Sequence, residues 1–361
     1  MPSFRLELSF KTYTGLACHD RKIMKRHLLS LAFTFCCMPL TSFAWGPDGH
    51  HSVGAIADTL LVGSKAGQKV TEVLQQSSLE QVAVWADCVK GINPEKDFAY
   101  TSTGRYPECA PFETKEGIDA MSSYVRRNNS NCNPAEGEES CHKQYHYTDV
   151  AIQHAHYKSG YVGTNEHDIV HAIGAAVAFL QGKPAVQPFQ FQDEREALSV
   201  LTHLVGDLHQ PLHVGSVFLS NQGKLINPDA AHTHYDKGSN TVGGNALQCP
   251  CGNLHSMWDE LPQAYKHGRM NEVLKLKASK LDKTAGTIEN WPSLWADQTI
   301  ADAKTAFSGM QFSKSTATQR GNNWSIALPL EYEKTMLKIK EEALIKAGAH
   351  LAQLLQSIWP E

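Results

Sequence analysis

The segment HLVGDLHQPLH at residues 203–213 constrains this chain more than any other. His203 and Asp207 are four residues apart, so on a helix they lie one turn apart on the same face. The apolar run across 197–205 favours a helix there. Pro211 has no amide donor and restricts the residue before it, so the helix should end or bend near residue 210 and free His213 to turn toward the same pocket or an adjacent one. Imidazole and carboxylate groups at a helix end suit a zinc site, although capping and core histidines are the alternative.

A second pair with the same spacing strengthens the metal interpretation. His255 and Asp259 are again four residues apart, directly after an irregular stretch at 216–252. Asp87 and His146 are further candidate ligands, because each ends or begins a loop that must meet the helical core. Neutral imidazole and ionised carboxylate are ligands that suit zinc without any thiolate.

Apolar periodicity predicts an all-α fold, a single mainly helical domain with long disulfide-stapled loops around the metal cleft. There is no internal repeat and no sustained strand alternation. Residues 91–142 are rich in Pro, Gly, Asn, Ser and Glu, and we expect them to form a surface excursion with at most one short helix near 119–126. The other predicted helices cover 50–61, 69–76, 79–89, 166–181, 193–210 and 331–358.

The amino terminus is typical of an export signal. A basic stretch at 25–27 precedes an apolar run at 28–40, and Ala44 is a small residue of the kind found at cleavage sites. We therefore predict a signal peptide at 1–44, with Met24 as an alternative start, and a mature domain at 45–361 that begins with Trp45. The mature protein would be secreted or periplasmic without a membrane anchor; a retained anchor is the alternative.

Six cysteines remain in the predicted mature chain, and an even number in an exported protein indicates disulfides whose pairing the sequence does not define. Cys249 and Cys251 could instead form a metal clip, but disulfides with other partners are favoured over both that clip and a Cys249–Cys251 bond. The six are Cys88, Cys109, Cys132, Cys141, Cys249 and Cys251.

Charge argues against a broad basic surface for nucleic acid. The chain has a net charge of −4, and residues 45–361 alone carry −8. A site in which bound metal ions supply the positive charge remains compatible with this balance.

Five spaced motifs resemble the zinc-dependent single-strand nucleases of the S-one/P-one type, which share a superfamily with bacterial zinc phospholipase C. The match runs in order through nearly all of the predicted mature chain. The motifs are Trp45-Gly-x-x-Gly-His50, Trp85-Ala-Asp87, His146-Tyr-x-Asp149, His203-x-x-x-Asp207-x-x-Gln-Pro-Leu-His213 and Asn253-Leu-His255-x-x-Trp-Asp259.

The resemblance implies a trinuclear zinc cluster, with three Zn²⁺ ions per chain. Asp207 would bridge the first and third ions, and Trp45 would use its free α-amino group and carbonyl oxygen, which only cleavage before Trp45 creates. Nine residues at three or four protein ligands per ion fill about three sites. The implied ligands are Asp87, His146, His203 and Asp207 for the first ion, His213, His255 and Asp259 for the second, and Trp45, His50 and Asp207 for the third.

The resemblance also implies the chemistry. Such enzymes cut single-stranded DNA and RNA to 5′-phosphorylated products and remove 3′-phosphates from nucleotides. Asp87 would orient the attacking water, and Lys90 would contact phosphate, unless it is a solvated surface lysine. Tyr147 would stack on a base and Asp149 would accept hydrogen bonds from a base edge; the alternatives are a core tyrosine and a helix cap. No stable protein partner is implied.

Several histidines have no place in the implied ligand set, and we expect His209 to support or pack beside the site. The region 91–142 is longer than we expect for such a family, so the loop beside Asp87 and Tyr147, and with it the substrate range, need not follow the family. Two competing functions are a zinc phospholipase C, disfavoured by Tyr147 and Asp149, and a zinc-binding protein without turnover.

Overall fold

The computed structural model describes residues 45–361 except 136–137, 234, 251, 264, 267–270 and 320. The predicted signal peptide, the alternative start at Met24 and Cys251 lie outside the described residues. Within them, no helix is long and apolar enough to cross a membrane.

Helices make up about half of the residues that the structure describes. The prediction of a mainly helical chain is therefore confirmed. The helices are α1 (Pro47–Leu60), α2 (Lys65–Leu74), α3 (Leu79–Val82), α4 (Trp85–Val89), α5 (Lys115–Asn128), α6 (Cys141–Gln144), α7 (Ile169–Leu180), α8 (Glu194–Leu208), α9 (Leu254–Asp259), α10 (Asn271–Ala278), α11 (Trp291–Phe307) and α12 (Tyr332–Ile358).

α8 is the central helix. Asp193 caps its first turn by accepting a hydrogen bond from the Glu196 amide at 2.8 Å. Every residue from Glu196 to Leu208 is buried, because α1, α3, α4, α7, α11 and α12 all pack around it. A helix buried on all sides holds its polar side chains in fixed positions away from water.

Small sheets correct the strictly all-α expectation. The longest strands are β9 (Gln311–Thr318) and β10 (Gly321–Ala327), which pair antiparallel. Only Trp324 and Ile326 of this hairpin are buried, so its two-residue apolar period is too short to detect in the sequence. The remaining strands are β1 (Ile92–Asn93), β2 (Ala99–Tyr100), β3 (Val150–Ala151), β4 (Gly215–Ser216), β5 (Phe218–Leu219), β6 (Leu225–Ile226), β7 (Leu247–Cys249) and β8 (Gly252–Asn253).

Sheet topology is simple. β8, β7, β10 and β9 form one four-stranded sheet in that order, in which β7 and β10 run parallel. β1–β2 and β5–β6 are antiparallel pairs, and β3 pairs parallel with β4.

The region 91–142 is more than a surface excursion. α5 spans 14 residues, longer than the predicted 119–126, and buries Met121, Tyr124 and Val125 in the main core. These positions recur every three or four residues, which gives the helix an apolar face.

Two disulfides stabilise this region, and their presence confirms the prediction that the loops carry disulfides. Cys88 bonds to Cys109, and Cys132 bonds to Cys141. Cys249 has no disulfide partner among the described residues. The first bond attaches the region to α4, and the second closes a loop within the region at the start of α6; both helices lead into the candidate site.

Candidate metal centre

The end of α8 provides the first two groups of the site. His203 and Asp207 are fully buried, and His203 Nε2 lies 3.2 Å from Asp207 Oδ2. α8 ends at Leu208, and a short 3₁₀ helix at Pro211–His213 follows, which matches the predicted break. His213 is thereby turned out of the helical spacing and is buried beside the same groups.

Two segments bring further groups to His203 and Asp207. His146 follows α6, and its Nδ1 lies 3.0 Å from Asp207 Oδ2 and 3.1 Å from His203 Nε2. α4 carries Asp87, whose Oδ1 lies 3.6 Å from His203 Nε2. His146, His203 and Asp207 together form one group of ligand atoms close enough for a shared metal ion.

α9 places His255 and Asp259 next to His213. The His255 and His213 Nε2 atoms are 3.1 Å apart, and Asp259 Oδ2 lies 3.6 Å from His255 Nε2. These three residues form a second group of convergent ligand atoms. Gln210, at the end of α8, donates a hydrogen bond to Asp259 Oδ1 at 2.7 Å and so fixes its carboxylate.

His50 lies between these elements with no hydrogen-bond partner. Its ring stacks on His203, with ring centroids 3.8 Å apart. Its Nε2 is 3.2 Å from Asp207 Oδ1. Neither the two His50 nitrogens nor Asp207 Oδ1 has a hydrogen-bond partner, because the geometry between them is not that of a hydrogen bond. His50 also groups with Asp87 and His203 as a possible ligand set, whereas the sequence resemblance placed it with Trp45 and Asp207. A fully buried imidazole and carboxylate oxygen without partners are costly unless a cation satisfies them.

Trp45 is held beside the same cluster. Its indole Nε1 donates to the Gly206 carbonyl at 2.9 Å, and the next amide, Gly46 N, donates to the Asp259 carbonyl at 2.8 Å. The first residues of the predicted mature chain are thus attached to both ligand-bearing helices, α8 and α9. The Trp45 side chain is fully buried.

His213 and His255 each form a hydrogen bond through Nδ1, so the Nε2 atom of each ring faces the candidate metal site. His213 Nδ1 donates to the His146 carbonyl at 2.8 Å, and His255 Nδ1 donates to the Gly243 carbonyl at 2.7 Å. In neutral imidazoles both Nε2 atoms then present lone pairs. Two lone pairs 3.1 Å apart repel each other unless a proton or a metal ion lies between them. Two nitrogens on one tetrahedral zinc lie about 3.3 Å apart, so the pair fits a zinc ion.

A proton is a poor occupant of that position. Burial lowers the pKa of His255 to about 3 and also lowers the pKa of His213. Both rings are therefore neutral near pH 7, the form that binds metal. His203 Nδ1 likewise donates to the Ala83 carbonyl at 2.7 Å and turns its Nε2 toward the cluster.

The pKa values of the carboxylates Asp207 and Asp259 are also shifted, in opposite directions. Burial would raise the pKa of Asp207, but the His203 and His213 rings outweigh it and hold the pKa well below its usual range. Burial raises the pKa of Asp259 well above its usual range, and a carboxylate of that kind regains its charge when a cation binds beside it. The residues present therefore fit a metal ion.

Lys90 and Asp87 form an ion pair at the edge of the cluster, in which Asp87 is buried and Lys90 is partly buried. Lys90 Nζ donates to Asp87 Oδ1 at 2.7 Å. Burial opposes both charges, yet Lys90 lowers the pKa of Asp87 to about 2, and Asp87 in turn raises the pKa of Lys90. Lys90 is thus not a solvated surface lysine, and both groups stay charged at neutral pH.

Tyr147 and Asp149 lie where the chain leaves His146 for β3. Tyr147 is half-buried, and its hydroxyl donates to Glu139 Oε2 at 3.4 Å. Asp149 is buried and accepts a hydrogen bond from Asn240 Nδ2 at 3.0 Å. Tyr147 is therefore only partly packed in the core, and Asp149 caps none of the described helices.

Other polar groups near the site were not predicted from sequence. His142, four residues before His146, is buried and neither ring nitrogen has a hydrogen-bond partner; its position in an irregular region gave no periodic pattern. His209 packs away from the cluster, with Nε2 2.7 Å from His350 Nδ1, as expected for a packing residue. Taken together, fold and site define a mainly helical protein with buried His/Asp groups suited to metal ions.

Comparison with known proteins identifies the family. The sequence profile of the family described as S1/P1 Nuclease matches residues 45–360. Nuclease S1 from Aspergillus oryzae is 25% identical over 354 residues, which cover 93% of this chain and 98% of that protein. Endonuclease 2 from Arabidopsis thaliana is 25% identical over 327 residues, 87% of this chain and 90% of that protein. The chain belongs to the S1/P1 nuclease family, which confirms the resemblance seen in the motifs. It is therefore a nuclease, a hydrolase that acts on nucleic acid.

Proposed function

We propose that the protein is a zinc-dependent nuclease that cleaves single-stranded DNA and RNA to 5′-phosphorylated products and also removes 3′-phosphates from nucleotides. The observation that carries the metal dependence is the pair of facing Nε2 lone pairs of His213 and His255, 3.1 Å apart in a buried site. The second group, around His203 and Asp207, lies beside it. Convergent imidazoles and carboxylates are a donor set for zinc.

Three ions per chain account for all the convergent groups. We assign the second to His213, His255 and Asp259, and the third to His50, Asp207 and Trp45, whose amine would be freed by cleavage after Ala44. Asp207 contacts His50 through one oxygen and His146 and His203 through the other, as a bridging carboxylate would. The first ion would be held by Asp87, His146, His203 and Asp207.

When bound by these residues, zinc would supply an acidified water and positive charge beside the phosphate oxygens. Asp87 has a pKa of about 2, so it stays ionised and can accept a hydrogen bond from the attacking water and orient it. Lys90 is held by Asp87 at 2.7 Å and keeps its positive charge, which favours a phosphate in a site shielded from solvent.

Substrate recognition is assigned to Tyr147 and Asp149. The half-buried Tyr147 ring offers a face on which a base can stack without regard to its identity. Stacking requires an unpaired base, so single strands should be cleaved in preference to duplexes. Asp149 would accept a hydrogen bond from the base edge.

The proposal extends to maturation. We propose that residues 1–44 are a signal peptide and that 45–361 form a single nuclease domain that is secreted or periplasmic. The buried Trp45 and its hydrogen bond to Gly206 support a mature chain that begins there.

Metal analysis and substrate assays test the proposal together. Mass spectrometry of the mature protein should give three zinc ions per chain. The same preparation should hydrolyse single-stranded DNA, RNA and 3′-AMP faster than duplex DNA, and should not hydrolyse phosphatidylcholine. Cleavage of lipid alone would contradict the nuclease assignment, and zinc without hydrolysis of any of these would indicate a metal-binding protein without turnover.

A further inference from the structure

We propose that the carboxylate of Glu139 makes the enzyme discriminate against nucleotides that carry a second phosphate group. A nucleotide with a 3′-phosphate and a 5′-hydroxyl would then be a better substrate than the same nucleotide with a 5′-phosphate. This inference rests on the proposed function, because that function places the 3′-phosphate at the metal ions and the base at Tyr147. Glu139 lies in the region 91–142 and belongs to none of the motifs that carry the family resemblance.

The carboxylate of Glu139 lies beside the proposed base site. The Tyr147 hydroxyl donates a hydrogen bond to Glu139 Oε2 at 3.4 Å. Burial is the main cause of the raised pKa values of Tyr147 and Asp149, and the charge of Glu139 adds to both upward shifts. Its electric field therefore reaches both residues to which we assign the base.

The same field reaches the proposed phosphate site. Burial lowers the pKa of Lys90, whereas Asp87 raises it, and Asp207 and Glu139 add smaller upward contributions. Lys90 is the residue that we assign to the phosphate held at the metal ions. The charge of Glu139 therefore acts on both ends of a nucleotide that spans these two positions.

The segment that carries Glu139 is anchored. The side-chain amide of Gln144 donates to the Glu139 carbonyl at 2.6 Å. Gln144 is itself buried, and its Oε1 accepts a hydrogen bond from His167 Nε2 at 2.8 Å. Cys141, two residues after Glu139, is bonded to Cys132. These contacts hold the backbone of Glu139 in place, so its charge stays near the base site.

The charge of Glu139 is not balanced by a basic side chain in the described part of the chain. The neighbouring Glu138 forms an ion pair with Lys237 at 2.8 Å, whereas Glu139 forms no ion pair with any residue that the structure describes. Glu139 is exposed, and a glutamate side chain carries a negative charge at neutral pH. It therefore presents an uncompensated negative charge to the substrate.

The two phosphates of a nucleotide 3′,5′-bisphosphate meet different surroundings. Under the proposed function, metal ions and Lys90 balance the charge of the 3′-phosphate. Nothing in that assignment balances a 5′-phosphate on the same nucleotide, and Glu139 repels it. Like charges about 8 Å apart near a protein surface change a binding constant by roughly three- to tenfold. We expect the preference to be of that size.

The test compares the release of the 3′-phosphate from 3′-AMP and from adenosine 3′,5′-bisphosphate by the zinc-loaded mature enzyme. The wild type should favour 3′-AMP in kcat/KM by about three- to tenfold. Glu139→Gln keeps an acceptor for the Tyr147 hydroxyl but removes the charge, so the ratio should fall close to one, chiefly through faster cleavage of the bisphosphate. Glu139→Asp keeps the charge and should keep most of the preference.

Salt separates a charge effect from a change in shape. At about 1 M NaCl the screening length falls to about 3 Å, so the wild-type ratio should approach that of Glu139→Gln at low salt. Glu116→Gln is the matched control, because it removes the same charge from the first turn of α5, about 18 Å along the helix from Asn128 at its other end. It should keep the wild-type ratio, and thermal melting checks that each variant is folded.

Calorimetry with non-hydrolysable 3′-phosphonate analogues of the two nucleotides gives the preference without turnover. If neither nucleotide is hydrolysed, the proposed function is refuted, while tighter binding of the analogue without a 5′-phosphate, abolished in Glu139→Gln, would still support the role of Glu139. No binding of either analogue would overturn both. Equal values for the two nucleotides in the wild type, a ratio unchanged in Glu139→Gln, or an equal change in Glu116→Gln would overturn the role of Glu139.

Discussion

Asp207 contacts three of the candidate histidine ligands through its two carboxylate oxygens. Its carboxylate lies within 3.2 Å of His50, His146 and His203. Asp207→Asn should therefore remove more zinc than His213→Ala, about two ions against one, and reduce kcat/KM by at least about 100-fold. Metal analysis of the two purified variants gives the comparison. Loss of one ion from each would contradict the bridging role.

Asp149 gives a prediction about pH and stability. Burial raises its pKa to about 6 in the folded protein, although Asn240 opposes the shift. The group therefore stabilises the fold below pH 4, and this contribution is lost as the pH rises through 6. Asp149→Asn cannot ionise, so its Tm should exceed that of the wild type by a few °C at pH 8.

The same two proteins should differ little in Tm at about pH 3, below the ordinary aspartate pKa of 3.8, where Asp149 is mostly protonated in both the folded and the unfolded chain. A pH-independent difference between their melting curves would show that ionisation of Asp149 is not the cause. The result is separate from base recognition, because melting is measured without substrate.

α9 is a short element that depends on its neighbours. It has six residues, and the carbonyls of Met257 and Glu260 at its end accept hydrogen bonds from Lys340 Nζ of α12 at 2.8 and 2.7 Å. Lys340→Met should loosen α9 and lower the zinc affinity of the site formed by His213, His255 and Asp259 by about 10- to 100-fold. Zinc titration should show the loss of one ion while the others are retained.

Lys346→Met is the matched control for that experiment. Lys346 lies on the same helix but pairs with Asp302, at 3.5 Å, away from α9. An equal loss of zinc from both variants would mean that α12 acts through general stability rather than through the end of α9.

At the scale of the whole molecule, the amino terminus should control the metal centre. Trp45 and Gly46 are bonded to Gly206 and to Asp259, so the terminus of a chain cut after Ala44 lies against both ligand helices. A mature chain with one extra residue before Trp45 should lose one zinc ion and fall in activity by at least about 100-fold. Full zinc content and activity in that protein would refute ligation by the α-amino group.

The sequence predicts features that depend on residues close together in the chain, and it does not predict contacts between residues that are far apart in it. The spacing of His203 and Asp207 predicted α8 and its polar face, and Pro211 predicted the turn that presents His213. The contact of Asn240 with Asp149 and that of Lys340 with Met257 span 91 and 83 residues, and no local pattern encodes them. The β9–β10 hairpin was missed because packing of two buried residues, rather than a long apolar alternation, holds it in place.

The attachment of Trp45 has a consequence for the cell that makes the protein. An active nuclease inside the cell would threaten the nucleic acid of its own host during synthesis. If the third zinc requires a free amine at Trp45, each new chain stays harmless until the export machinery has trimmed it. Protection would then need no separate inhibitor, because one peptide bond keeps the nuclease inactive.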